Sequence, residues 1–251
     1  MGSGAVADTL SIATASNFRP VLEQLRETFV ERQGQDPSMH QITISSASSG
    51  VLYAQILQHA PFQLFFSANE SYPEKLVASG RGASETLATY AIGKLVLVSR
   101  SEGVNPKDIL SKAKRIAIAN PRTAPYGIAA MAAIENLGVI EESKSKLVIG
   151  NNIAQAWQFF HSGNADVAIV ADALVVSARG LDEREKPQRQ GLFAIDLSPH
   201  LTHPVRQSRV AIKPVNSLTQ QFLDFMNTAA AKKIIVDGGY LLPMTNKNLK
   251  Q

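Results

Sequence analysis

A run of serines, Ser45-Ser-Ala-Ser-Ser-Gly50, stands between the apolar alternation of Ile42 and Ile44 and the helically spaced Val51, Leu52, Ile56 and Leu57. A strand that passes through such a small-residue turn into a helix can hold an anion. The first N–H groups of a helix have no acceptor within it and carry a partial positive charge of about half a unit, and a serine hydroxyl adds a donor at the same point. The same serines also serve as plain helix caps. Taken alone, the run leaves both readings open.

The pattern recurs along the chain. Leu10-Ser-Ile-Ala13 reads as a strand, Thr14-Ala-Ser-Asn17 as a polar turn, and 18–30 as a helix with Val21, Leu22, Leu25 and Phe29 on one face. Two such turns on neighbouring parallel strands meet at one sheet edge, where ligands of open α/β folds bind. A third junction joins the strand 115–119, through the turn-rich Asn120-Pro-Arg-Thr-Ala-Pro-Tyr-Gly127, to a helix over 128–137. A fourth joins the strand 146–150, through Asn151 and Asn152, to a helix carrying Ile153, Ala156, Trp157 and Phe160. The side chains of that asparagine pair read as N-caps.

Other chemistries find little support. The chain has no cysteine, which removes disulfides, thiolate nucleophiles and cysteine metal sites together. His40, His59, His161, His200 and His203 lack metal-ligand spacing. Ser48 and Ser49 stand in no Gly-x-Ser-x-Gly elbow, and neither Gly-x-Gly-x-x-Gly nor a phosphate-loop lysine motif occurs. The turn serines are therefore read as hydrogen-bond donors. With 25 Lys+Arg against 21 Asp+Glu the formal charge is +4, but the basic residues are scattered and form no stripe with aromatics. Nucleic acid is not an expected partner.

At 251 residues and 45% hydrophobic, the chain can bury a large α/β core. No apolar run of about 18 residues offers a membrane span. Met1-Gly-Ser-Gly-Ala5 has no basic or apolar leader segment and reads as a scar in place of a removed leader. Between the junctions, 62–68 reads as a strand and a helix begins at Pro73. Residues 90–99 read as one buried strand with Gly93 near a domain crossing, and 166–171 as another buried strand. The charge-rich 182–190 reads as a solvated loop, 204–212 as a strand with one wet face, and 218–235 as a closing helix.

Thr14-Ala-Ser-Asn-Phe18, Ser46-Ala-Ser-Ser-Gly-Val-Leu-Tyr-Ala-Gln-Ile56, Ala60-Pro-Phe-Gln-Leu-Phe-Phe-Ser-Ala68, Tyr90-Ala-Ile-Gly-Lys-Leu-Val-Leu97 and Asn120-Pro-Arg-Thr-Ala-Pro-Tyr-Gly127 together resemble the molybdate-binding proteins of bacterial ABC importers. The resemblance runs from about Thr9 to Pro243. It implies a two-lobed periplasmic-binding-protein fold of class α/β, each lobe a mostly parallel sheet flanked by helices, joined by crossing strands. One lobe would comprise residues 6–92 and 205–251, the other 93–204. It further implies a monomer in the periplasm that takes molybdate or tungstate into the cleft without chemistry or cofactor. Molybdenum would be held only as the oxyanion, and delivered to a membrane permease.

Carried over residue by residue, the resemblance assigns the oxyanion to Ser16, to Asn17 in one branch of the family, to Ser49, and to the backbone N–H groups of Tyr126 and Ile153. Ala171 departs from the other branch, which has a tyrosine hydroxyl there; Asn17 would supply the missing donor. Two other readings remain on the same fold. One is a binding protein for sulfate or another oxyanion; the other is an enzyme or sensor domain. The latter would need a titratable cleft group or an added signalling segment.

Overall fold

The computed structural model describes residues 8–33, 40–180 and 192–244. The stretch 182–190 lies outside the described residues. In chain order the elements are β1 (Asp8–Ala15), α1 (Arg19–Gln33), β2 (His40–Ala47), α2 (Ser49–Leu57), β3 (Leu64–Phe66), α3 (Ser71–Ala78), β4 (Ala88–Gly93) and β5 (Leu95–Ser99). There follow α4 (Pro106–Lys112), β6 (Ile116–Ala119), α5 (Pro125–Asn136), α6 (Ile140–Lys144), β7 (Leu147–Gly150), α7 (Ile153–His161), β8 (Val167–Ala171) and α8 (Asp172–Gly180). The chain closes with β9 (Phe193–Asp196), β10 (Val205–Ala211), α9 (Ser217–Met226) and α10 (Ala229–Asp237).

The strands form two five-stranded sheets flanked by helices, ordered β2-β1-β3-β10-β4 and β7-β6-β8-β5-β9. Pairing is parallel where strand, turn and helix follow one another: β1 with β2 and β3, and β6 with β7 and β8. It is antiparallel for β10 against β3 and β4, and for β5 against β8 and β9. Parallel strands all deliver their following turns to one sheet edge. That rule brings the ends of β1 and β2 side by side, with Ala15 opposite Ala47, and the ends of β6 and β7, with Ala119 opposite Gly150.

Alternation buries the expected faces. Val21, Leu22, Leu25 and Phe29 of α1 pack with Leu10 and Ile12 of β1 and with Phe222 and Phe225 of α9. On the other side of that sheet Leu52, Ile56, Phe65 and Leu76 form a smaller cluster. The second sheet has its own core, built on Leu97, Ile118, Ile134, Phe160 and Ile169, and this core also takes in Ala15 of β1 and Ala68 just beyond β3.

Four expectations change. Residues 90–99 are two strands of different sheets, β4 and β5, separated by Lys94. The chain crosses at Gly93, where a Cβ would collide with the Tyr126 hydroxyl and the Gln207 amide. Strand β10 has no wet face beyond Arg206, because it runs between β3 and β4 and buries Gln207, Ser208 and Arg209. The helix read over 218–235 is two, α9 and α10, interrupted where Thr228 Oγ1 accepts from Ala231 N and caps the second. Finally, α5 begins at Pro125 rather than after Gly127, proline being at home in a first helical turn. Tyr126 is thus a helix-start residue.

Candidate functional site

Four strand-to-helix turns converge on one small chamber. Its walls are Ala15 to Asn17 before α1, Ala47 to Ser49 at the start of α2, Ala124 to Tyr126 at the start of α5 and Ile153 at the start of α7, with Ala68 beside them. Ser16, Asn17, Ser49, Tyr126 and Ile153 therefore stand together, two sheets contributing to one space. The chamber has a volume of about 10 Å³, room for about one water molecule. A larger, mostly apolar cavity of about 730 Å³ adjoins it through Ala68 and Pro125, and the Glu70–Arg206 ion pair lies on its wall.

The hydrogen-bond accounting of the chamber leaves donors over. Ser16 and Ser48 are 5% and 4% exposed, and neither hydroxyl has a partner among the described residues. Ser48 is the N-cap of α2, with φ −69° and ψ 147°, yet its side chain makes no capping bond. Plain capping therefore does not account for it. Ser49 Oγ accepts from Ala68 N at 3.0 Å, which leaves its proton to donate. Asn152 Oδ1 accepts from Gln155 N at 3.0 Å and caps α7, as its place in the sequence led us to expect. The first-turn N–H groups of Tyr126 and Ile153 find no main-chain acceptor among the described residues. A buried polar group left without a partner costs about 1 to 3 kcal/mol, so a site holding several is shaped for something that accepts.

The electrostatics point the same way. Each of these helix starts brings about half a positive charge, and among the described residues Tyr126 is the one titratable side chain on the chamber wall. Its hydroxyl is turned from the chamber, accepting from Gln207 Nε2 at 3.1 Å. Among the described residues no cluster of histidine and carboxylate is arranged to hold a metal ion.

Behind Asn17 lies a buried network. Asn17 Nδ2 donates to Gln207 Oε1 and to the Tyr240 hydroxyl, each at 2.9 Å, and the Tyr240 hydroxyl donates to Asn17 O at 2.9 Å. The Tyr90 hydroxyl donates to the same Gln207 Oε1 at 3.0 Å. Among the described residues Asn17 Oδ1 is left buried without a partner. Burial holds the hydroxyl protons of Tyr90, Tyr126 and Tyr240 well above the usual tyrosine range, so all three stay neutral near pH 7. Ala171, where a tyrosine was absent from the sequence, ends β8 fully buried.

Ser48, Gln207 and Tyr240 were not singled out from the sequence. Ser48 is one of four serines in the run, and nothing local distinguishes it from Ser49. Gln207 sat in a strand read as half wet. Tyr240 follows the glycine pair that ends α10 and carried no local signal.

A family model described as bacterial extracellular solute-binding protein matches residues 10–241. The chain is 36% identical over 242 residues to the molybdate-binding protein ModA of Rhodobacter capsulatus, covering 94% of this chain and 90% of that one. The solved periplasmic molybdate-binding protein of Azotobacter vinelandii superposes with a TM-score of 0.82 at 35% identity, over 94% of this chain and all of that one. The sulfate-binding protein SubI of Mycobacterium tuberculosis shares the fold, with a TM-score of 0.73 at 14% identity over 93% of this chain and 86% of that one. With sequence, fold and converging helix starts in agreement, the chain belongs to the bacterial extracellular solute-binding protein family.

Proposed function

We propose that this protein binds molybdate or tungstate as an intact oxyanion at the chamber, whose walls give way on binding to admit more than the one water they now have room for, and carries it, in the periplasm, to the permease of an ABC importer. The observation that carries the reading is the set of buried donors, unpartnered among the described residues, gathered from four helix starts around a space that no described carboxylate lines. The names of the relatives in Rhodobacter and Azotobacter support the choice of anion. Ser16 and Ser48 donate through their hydroxyls, Ser49 through its free proton, and Tyr126 and Ile153 through their N–H groups. A dianion so held needs no cation or cofactor, because hydrogen bonds and helix starts replace its hydration. The protein does no chemistry on its ligand and acts as a monomer. Residues 6–92 with 205–251 form one lobe and 93–204 the other, so that binding closes the cleft between them.

Asn17 joins this set by turning over. The two ends of a carboxamide are nearly equal in shape. If Asn17 and Gln207 both turn, Gln207 Nε2 donates to Asn17 Oδ1 and to the Tyr90 hydroxyl, which in turn donates to Ser67 O at 3.3 Å, and the Tyr240 hydroxyl gives its proton to Asn17 Oδ1 in place of Asn17 O. The Tyr126 hydroxyl then donates to Gln207 Oε1, and Asn17 Nδ2 becomes the end left over for the anion. An acceptor-rich ligand favours that arrangement over one that leaves Oδ1 unpartnered.

Calorimetry of the ligand-free protein tests the reading. Molybdate and tungstate bind one to one with similar affinity, and sulfate binds more weakly because its shorter bonds bring its oxygens less close to the donors. Phosphate near pH 7 carries a proton that needs an acceptor, and binds roughly tenfold or more weakly than molybdate. Phosphate displacing molybdate at comparable concentration would contradict the proposal.

A further inference from the structure

The start of α2 and the loop between β6 and α5 belong to different sheets, and they meet through the main chain. Gly50 N donates to Thr123 O at 2.9 Å. Gly50 is the second residue of α2, so this N–H has no acceptor within its own helix. The approach leaves no space for a side chain. A Cβ on Gly50 would stand 2.9 Å from Thr123 O, 3.2 Å from Thr123 Cα and 2.7 Å from the Tyr72 hydroxyl. The helical backbone does not ask for glycine here, since alanine is the better helix former. The contact across the cleft does.

Resting on the oxyanion reading, we infer that Gly50 is a positioning residue for binding. Its N–H is committed to Thr123 and latches the two sheets together. Its bare Cα lets the start of α2 come close enough to α5 for Ser48 and Ser49 on one side, and Tyr126 and Ile153 on the other, to reach one anion. Latch and ligand therefore form together, because both need the closed cleft. A residue with a Cβ holds the cleft ajar, and the apparent dissociation constant rises as the closed fraction falls.

The test compares the parent with Gly50→Ala, Tyr72→Phe and the double variant, by calorimetry with molybdate, small-angle scattering at saturation and melting without anion. Gly50→Ala is expected to melt at or above the parent's temperature, to bind molybdate about tenfold or more weakly, and to keep a larger radius of gyration at saturation. Tyr72→Phe is expected to bind like the parent and to leave the double variant as weak as Gly50→Ala, since a tyrosine tip can move aside and the Thr123 backbone cannot. If Gly50→Ala binds and compacts like the parent, the latch is overturned and the oxyanion reading stands. Recovery in the double variant overturns the latch too, by moving the obstruction to Tyr72. A parent that does not bind molybdate overturns the oxyanion reading, and the latch with it. Should Gly50→Ala fail to fold, amide exchange in the parent decides: protection at Gly50 rises with molybdate, and identical protection with and without it overturns the inference.

Discussion

The Tyr126 hydroxyl, on the first turn of a helix packed on the second sheet, accepts from Gln207 Nε2 of the first sheet at 3.1 Å, directly over the crossing residue Gly93. Gln207 also bonds Asn17, so the point where the chain passes between sheets is linked to the chamber wall through one side chain. The main chain of Tyr126 faces the candidate site while its hydroxyl anchors the crossing.

The unpartnered hydroxyls give a prediction with two signs. Ser16→Ala and Ser48→Ala each remove a donor to a charged ligand, worth about 1.5 to 3 kcal/mol, and lower molybdate affinity roughly tenfold to a hundredfold. Neither breaks a hydrogen bond in the free protein, so melting without ligand stays the same or rises. Ser49→Ala differs, because it also strands the N–H of Ala68 and lowers both affinity and stability. Thermal melts with and without molybdate check all three. A fall in ligand-free stability for Ser48→Ala, with affinity unchanged, would restore the plain-cap reading.

Gln207→Glu is expected to weaken molybdate binding by about tenfold or more. A carboxylate there accepts only, which holds Asn17 Nδ2 inward and adds a negative charge near the anion. Calorimetry of the variant checks this; parental affinity would show that the orientation of Asn17 does not matter.

How much of this was legible in the sequence follows from distance along the chain. The turns at Ser16 and Ser49 announce themselves locally, by apolar alternation, small polar residues and helical spacing. So does the cap at Asn152. Gln207 and Tyr240 do not, since their bonds to Asn17 span 190 and 223 residues, and nothing near either one records the partner. The same limit explains β10. Its polar residues suggested solvent, but their buried partners come from β4, the turn before β4, the turn before α1 and the start of α5. The break between α9 and α10 was locally marked by Asn227 and Thr228, a cap signal overridden by the apolar spacing around it.

Stability should be flat with pH, for the four strongly shifted groups, up to about pH 9 and fall above about 10. Unfolded tyrosines lose protons near pH 10, whereas burial makes folded Tyr90, Tyr126 and Tyr240 keep theirs, so deprotonation favours unfolding by up to about 1.4 kcal/mol per pH unit each. Arg209 works in the opposite sense. Burial draws its guanidinium down to about 10, so above that pH the folded chain releases a proton the unfolded one keeps. Three groups against one leave a net loss. Urea unfolding across this range checks the sign, and stability rising above pH 10 would contradict it.

The most direct measurement is anomalous diffraction at the molybdenum edge from crystals grown with molybdate. One molybdenum peak is expected in the chamber, its oxygens within hydrogen-bonding distance of the hydroxyls of Ser16, Ser48 and Ser49 and the N–H groups of Tyr126 and Ile153. A peak elsewhere on the protein, with the chamber empty at saturating molybdate, would contradict the assignment of these helix starts as the oxyanion site.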